Sequence, residues 1–418
     1  MNRDWLAVFE ALKAVYSDGA FSNISINEAV SRHHGSLESF VRTFAKGVLR
    51  DSIRLDFIID RLADKGISSI KQRPLIILRM GIYAIDCLDS VPQHAAVSEA
   101  VDLAKAVAKG SDRFVNGMLR AYLRLWDEFD PESMEPHIRA SFSEGVFSLL
   151  SEQYGAEVND IVKALNTPPE VCLRANTLKA KRDEIISMLT EQGIESHPCE
   201  ENSEAISAKG SGIVSNDLYR QGYYTVQSLS SMIAVKALDP KPGSKVLDLC
   251  SAPGGKTGYM AELMGNEGSI TACDIYPHRL MLTQAAMKRI GVSICAAEER
   301  DAAVYEPSFE GRFDYVLADV PCSGLGVIAS KPEIKLTTDP SRYGELISIQ
   351  KKILANAIRY AKPGGRVEYS TCTLNKNENE AVVKDVLSKA CSSARIVEMA
   401  TIMPYNGKVG FFYTIIEK

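Results

Sequence analysis

The chain lacks paired cysteines. Nine occur in 418 residues, an odd number with no C-x-x-C spacing and no Cys/His cluster. Neither a disulfide framework nor a structural zinc site is indicated, and no metal is expected. Reduced thiols in a reducing compartment follow, with Cys87, Cys172 and Cys295, set in apolar surroundings, read as small core residues. No apolar run approaches the ~20 residues that cross a bilayer. The opening Met1-Asn2-Arg3-Asp4-Trp5 lacks the charged-then-apolar order of a secretory leader. A cytoplasmic location without a membrane partner is therefore expected. A basic excess is missing too. The net charge of −5 argues against a strongly basic, non-specific nucleic-acid binder, while leaving room for a local basic patch. What is present, 45% hydrophobic and 24% charged residues, is the balance of a soluble globular protein. The length suggests two or three domains at roughly 150 residues each.

Periodicity predicts a mostly helical first part, with helices over Trp5–Val15, Ser36–Leu49, Leu55–Leu62, Leu75–Cys87, Ala95–Ala108 and Asp112–Trp126. Residues 1–140 carry 18 Lys+Arg against 19 Asp+Glu, so this region is near neutral. Asn116-Gly117 interrupts a helical pattern at a cost in propensity, which points to close packing or to a contact. Asp127–Pro136, acidic and with two prolines, reads as a linker. Residues 137–235 read as a small α/β unit, with strands at Val171–Leu178 and Ile194–His197 around a helix at Arg182–Gln192. Arg174, Lys179, Lys181 and Arg182 form a basic cluster there, either a solvated face or a phosphate contact.

From Pro240 strands and helices alternate. Strands are predicted at Lys245–Leu249, Ser269–Asp274, Ser293–Ala297, Tyr315–Asp319, Gly365–Ser370 and Val409–Glu417. Helices are predicted at Thr257–Met264, Pro277–Ile290, Tyr343–Tyr360 and Lys376–Lys389. This is a doubly wound α/β layout, in which ligands bind beyond the carboxyl ends of the strands. At the first such end stands Asp248-Leu249-Cys250-Ser251-Ala252-Pro253-Gly254-Gly255-Lys256-Thr257. Its glycines admit a ligand close to the backbone, and the free N–H groups of the following helix favour an anionic group such as a carboxylate. Gly-Lys-Thr suggests a phosphate-binding loop, but position 250, where that motif needs glycine, is cysteine; Gly-x-Gly spacing is absent as well. Asp274 closes the next strand and suits ribose hydroxyls. Asp301 and Asp319 follow the later strands. Singly each reads equally well as a loop residue; in order they indicate a nucleoside cofactor without pyrophosphate, with S-adenosylmethionine the obvious candidate.

Two cysteines stand in polar, turn-forming surroundings unlike core: Asp319-Val320-Pro321-Cys322-Ser323-Gly324 and Tyr369-Ser370-Thr371-Cys372-Thr373. C5 of cytosine is too weak a nucleophile to attack a methyl sulfonium unaided. A thiolate adding at C6 makes an enamine that attacks through C5, splitting one hard step into two. Activation near N3 suits a protonated carboxyl such as Asp319, and a base must later remove the C5 proton. The residues alone leave open which cysteine attacks.

DLCSAPGGKT, DVPCSG and YSTCTL followed by Asn377-Glu378-Asn379-Glu380 resemble the RNA 5-methylcytosine methyltransferases, the family of the bacterial 16S ribosomal RNA methyltransferase B (RsmB/Sun). LRANTL at 173–178 looks like the family's RNA-binding extension, and residues 91–120, with FVNGMLR, resemble its NusB-like helical domain. The resemblance implies a NusB-like helical RNA-binding domain at 1–130, a small α/β RNA-binding extension at 137–235 and a Rossmann-like S-adenosylmethionine-dependent methyltransferase domain at 236–418. It implies Cys372 as the nucleophile and Cys322 as an aid to product release, with Asp319 beside them. Cofactor contacts are implied from Cys250, Ser251, Ala252, Pro253, Gly254, Gly255 and Lys256, and from Asp274, Asp301 and Asp319. The implied partner is 16S rRNA, one of whose cytosines is methylated at C5 after extrusion. No DNA partner and a monomer are expected. A tRNA cytosine methyltransferase and a non-catalytic RNA-binding assembly factor are the alternatives. The chain departs from the family pattern at Ala329-Ser330, at Val409 before Gly410 and at Ser228 after Gln227.

Overall fold

The computed structural model describes residues 2–210, 212–390 and 394–418. These fall into two compact units: Met1–Asn166 with Ile328–Asp339, and Thr167–Val327 with Pro340–Lys418. Among the described residues no helix is long and apolar enough to cross a membrane.

The first unit is helical: α1 (Arg3–Asp18), α2 (Ser22–Arg32), α3 (Glu38–Arg50), α4 (Ser52–Leu62), α5 (Gln72–Cys87), α6 (Gln93–Val107), α7 (Asp112–Arg124), α8 (Pro136–Arg139), α9 (Glu144–Tyr154) and α10 (Val158–Asn166). Local signals set several ends. The Asn2 side chain accepts from the Asp4 N–H at 2.9 Å to open α1, and Gly19 at φ 64° closes it, a left-handed cap that costs glycine nothing. Helix α5 is apolar on most of its surface and is central to the core. Two of its approaches leave no room for a side chain. A Cβ on Gly47 would fall 2.0 Å from the Tyr83 hydroxyl, and one on Gly81 2.8 Å from Leu119.

Gly117 behaves otherwise. Added there, a Cβ would meet nothing within 4 Å, so packing does not explain the Asn116-Gly117 pair. Asp127–Pro136 is not a loose linker, because Phe129 and Met134 are buried in the helical core. Cys87, expected in the core, is exposed at the end of α5, whereas Cys172 and Cys295 are partly buried against a core cluster. Helix α2 was not foreseen. Its sequence SNISINEAVSR is rich in Ser and Asn, poor helix formers, and it is held by burying Ile26 and Ala29.

The second unit opens with β1 (Val171–Ala175), α11 (Arg182–Glu191), β2 (Glu195–Pro198), β3 (Ala205–Lys209), α12 (Asp217–Arg220) and β4 (Tyr224–Val226). The four strands form an antiparallel sheet in the order β2-β3-β1-β4. Ile185 and Leu189 of α11 pack on Leu173, Ala175, Ile206 and Tyr224.

The rest of the chain follows, all of it in this unit except α16: α13 (Leu229–Leu238), β5 (Lys245–Asp248), α14 (Gly255–Leu263), β6 (Ser269–Asp274), α15 (Pro277–Ile290), β7 (Cys295–Glu299), β8 (Phe313–Asp319), α16 (Ile334–Thr337), α17 (Tyr343–Tyr360), β9 (Ala361–Thr371), α18 (Glu380–Ala390), β10 (Arg395–Ile402) and β11 (Phe411–Glu417). The sheet order is β10-β11-β9-β8-β5-β6-β7. Strands β9, β8, β5, β6 and β7 run parallel, and β11 and β10 are antiparallel additions at one edge. The chain leaves β5 toward β6 and β7, then returns to β8 on the other side. The crevice where this order reverses is the ligand position of a Rossmann-like sheet. Core clusters cover both faces of its central strands.

The short segment Ile328–Asp339, which carries α16, belongs to the helical unit. The Glu333 carboxylate accepts from the Ser22 N–H at 3.1 Å and from its hydroxyl at 2.7 Å. This caps α2 where Phe21 offers no side-chain acceptor and places an anion at the positive end of the helix. The buried Lys335 ammonium donates to Arg50 O at 2.7 Å and to Asn166 Oδ1 at 2.6 Å, and lies 4.2 Å from the centre of the Phe142 ring. At Ala329 and Ser330 the backbone carbonyls accept from Arg50 and Lys46. The helical unit therefore runs past residue 130 and takes in a segment far away in sequence.

Candidate active site

The loop from Cys250 to Lys256 runs from the end of β5 into α14. Gly254 stands at φ 98°, and a Cβ there would sit 3.1 Å from Thr283 Cα; only glycine passes. The Ala252–Pro253 peptide is cis. Asp248 is buried, accepts from Thr257 Oγ1 at 2.7 Å and from the Cys250 N–H at 3.3 Å, and is pushed up to about 7, chiefly by burial. The loop is held from below by Arg174. Its guanidinium donates to both Glu262 oxygens at 2.8 Å, to Gly255 O at 2.6 Å and to Gln227 Oε1. Arg174 is thus a buried strut, and the phosphate contact considered for it is excluded. Ser228, one of the departures, accepts from the Ser231 N–H and caps α13.

The expected cofactor residues occupy three successive strand ends. Asp274 closes β6, buried, and its carboxylate meets Arg279, which also donates to Ala252 O at 2.9 Å. Asp301 lies exposed beyond β7 and accepts from the Ala303 N–H at 2.9 Å, a local turn contact. Ser251 Oγ and Thr283 Oγ1 are buried without a hydrogen-bond partner. Unmet hydroxyls, a glycine cradle and a buried acid at the next strand end fit a small polar nucleoside such as S-adenosylmethionine.

Beyond β8 and β9 the thiols meet. Cys322 Sγ and Cys372 Sγ are 3.3 Å apart. Two ionised thiols cannot share that space. Hydrogen bonding with Cys372, followed by burial, drives the Cys322 thiol well above its ordinary range, so Cys322 keeps its proton. Lys256 donates to Asp319 at 2.6 Å, and Ser370 donates to the other Asp319 oxygen at 3.2 Å. Burial works against the Lys256 ammonium, but Asp319, Glu368 and Cys372 outweigh it and hold its pKa up. A fixed cation beside Cys372 favours the thiolate.

Glu378 ties the two cysteine loops together. Fully buried, it accepts from the Ser323 N–H at 2.8 Å, the Ser323 hydroxyl at 2.5 Å, Gln350 at 3.0 Å and Asn375 at 3.0 Å. The backbones also touch. Gly326 N–H donates to Cys372 O at 3.0 Å and Gly410 N–H to Gly326 O at 2.8 Å; a Cβ on Gly326 would lie 2.1 Å from Gly410 O. Val409 contributes its carbonyl, which accepts from Ser230 at 2.7 Å.

Sequence reasoning passed over Glu378 as a brace, Arg174 as a strut and Glu368 altogether. The only signal for Glu368 was a carboxylate between Val367 and Tyr369 in a segment predicted as a strand, out of place if that strand is buried on both faces.

A doubly wound sheet with a nucleoside cradle after its first parallel strand and a pair of thiols after its fourth and fifth is the plan of a Rossmann-like methyltransferase. Comparison with known proteins agrees with the fold. Residues 235–413 match the 16S rRNA methyltransferase RsmB/F model, residues 5–124 the NusB family and residues 146–214 the ferredoxin-like domain of RsmF/B-like methyltransferases. The chain is 34% identical over 387 residues to a probable ribosomal RNA small subunit methyltransferase B of Bacillus subtilis (strain 168), covering 90% of this chain and 86% of that one. It is 33% identical to the protein of the same description from Synechocystis, covering 91% and 87%. The solved structure of PH0851 superposes with a TM-score of 0.85 at 26% identity, covering 100% of this chain and 99% of that one. The chain belongs to the RsmB/F family of 16S rRNA methyltransferases, S-adenosylmethionine-dependent enzymes.

Proposed function

We propose that this protein methylates C5 of one cytosine in 16S rRNA through a covalent adduct between Cys372 and C6 of the base. The reading is supported above all by the 3.3 Å approach of Cys322 to Cys372 beside the Lys256–Asp319 pair. The substrate class follows the descriptions of the small-subunit methyltransferases to which the chain is related and the NusB match of its helical unit.

When bound, S-adenosylmethionine supplies the electrophilic methyl group. The Cys372 thiolate adds to C6, and the ring electrons move so that C5 becomes nucleophilic. Asp319, held by Lys256 and Ser370, faces the polar edge of the ring and hydrogen-bonds at N3, where it must carry a proton to donate. After C5 is methylated its proton must leave. Cys322, adjacent to the adduct, assists this step: the C5 proton passes to a solvent water, the C5–C6 double bond re-forms and Cys372 departs as its thiolate. Proximity does much of the work, because both thiols and the Asp319 carboxyl are held in place before the base arrives.

The test is a pair of substitutions assayed on small-subunit rRNA from a strain lacking the protein. Cys372→Ala abolishes methylation, and Cys322→Ala accumulates a protein–RNA adduct that survives denaturing electrophoresis. Normal turnover by Cys322→Ala together with an adduct from Cys372→Ala would reverse the assignment. Methylation at a base other than cytosine would end the reading.

A further inference from the structure

Glu368 has no task in the mechanism above, and packing does not account for it. It is 0% exposed, and neither carboxyl oxygen has a hydrogen-bond partner. Buried acids are ordinarily paired. Across the parallel ladder Glu368 is in register with Leu317, and Leu317 with Asp248. Residues in register project to the same face of a sheet, so Glu368 and Asp248 share one face. Strand alternation puts Ser370 on that face too, with Cys372 next in the series at the end of β9.

Lys256, in the first turn of α14, is the cation of this face. Asp319, Glu368 and Cys372 all act on its ammonium. Burial raises Glu368 to about 8; Lys256 pulls it down, while Asp319 and Asp248 push it further up. Tyr413 of β11 is a further titratable neighbour, and Tyr315 and Arg366, paired two positions back along β8 and β9, lie on the same face. Helix α13, packed on β9, carries only Lys236 as a titratable group, and that ammonium donates to Ser203 and Glu204. At neutral pH Glu368 therefore holds a proton on the face that carries the Lys256–Asp319 ion pair.

We propose that Glu368 is a positioning residue that acts through Lys256, supplying the proton that turns Asp319 from hydrogen-bond acceptor into donor when the pyrimidine arrives. The inference rests on the functional reading above. One Glu368 O–H bond breaks and one Asp319 O–H bond forms: Lys256, which in the resting structure donates to Asp319 and not to Glu368, gives its proton to Asp319 and takes one from Glu368 as its side chain turns to that unpaired carboxyl. The three groups sum to zero charge before and after. No other reactant is needed.

The test uses the full chain, labelled S-adenosylmethionine and deproteinised small-subunit rRNA. In the wild type kcat falls as pH rises through about 8, where Glu368 loses its proton. Glu368→Gln lowers kcat on the order of a hundredfold, leaves KM for S-adenosylmethionine unchanged and removes the fall near that pH. Infrared spectroscopy of the wild type reads the same proton without turnover, as a buried carboxylic-acid band lost in Glu368→Gln and titrating near the same pH. A Glu368→Gln enzyme with wild-type kcat and profile, or one that is slow yet keeps the alkaline fall, overturns the proposal. So does a wild type without that band, even if the variant does not fold. A wild type that labels no cytosine overturns the functional reading and this inference together, so the two failures are distinguishable.

Discussion

Replacing Arg174 with methionine isolates the energetics of the strut beneath the cofactor loop. Arg174 and Glu262 are each 1% exposed at the side chain and joined by two 2.8 Å bonds. Methionine keeps most of the volume but leaves the Glu262 carboxylate buried without its cation. Breaking such a pair from one side costs about 3–5 kcal/mol, which in a unit of this size lowers the melting temperature by roughly 10 °C. Removing both charges, as Arg174→Met with Glu262→Leu, returns stability to within about 1 kcal/mol of the wild type, because an apolar pair of similar volume carries no desolvation penalty. The sign of the pH effect is fixed. Burial already raises the Glu262 pKa, even with Arg174 beside it. Without the arginine the folded state favours the protonated acid further, so the penalty of the single variant shrinks as pH falls. Urea or thermal unfolding of the four proteins of the double-mutant cycle, at neutral and acid pH, measures the coupling. The double variant still lacks the bond to Gly255 O, so it binds S-adenosylmethionine more weakly by calorimetry although it is stable. The reasoning is refuted if Arg174→Met loses less than about 1 kcal/mol, or if the double variant is as unstable as the single one.

Glu378→Ala removes an acceptor shared by Ser323, Gln350 and Asn375 and lets the cysteine loops drift apart. Methyl transfer falls on the order of a hundredfold while calorimetric affinity for S-adenosylmethionine stays within about twofold; an unchanged rate would show that the carboxylate does not brace the thiols. Glu333→Ala removes both acceptors from Ser22 and costs the helical unit about 1–2 kcal/mol, seen as a lower urea midpoint. An unshifted midpoint would mean that α2 needs no cap from this segment.

Much of the second unit was legible because its signals are local. Helix α15 begins at Pro277 and ends at Gly291, φ 86°, as the sequence pattern indicated. The cofactor loop was readable for the same reason, since its glycines, Lys256 and the preceding strand lie within a few residues. Strand β10 was missed because it is an edge strand, exposed over Arg395–Glu398, without apolar alternation to reveal it. Helix α2 was missed because its capping acid lies 311 residues away. Gly47 and Gly81 went unremarked while Asn116-Gly117 drew notice, since what a missing Cβ would touch depends on another helix.

The sequence by itself determined the order of strands and helices around the crevice, the cofactor motif at the first strand end and the two thiol loops, because each is written in neighbouring residues. Only the tertiary structure decided how they work together. It brought Cys322 within 3.3 Å of Cys372 across a separation of 50 residues. It also joined Lys256 to Asp319, turned Arg174 into a strut and set Glu368 in the same row as Asp248. The physical reason is common to all of these. Charge state and reactivity depend on burial and on the nearest charges, and in this chain those neighbours come from strands and helices far apart in sequence.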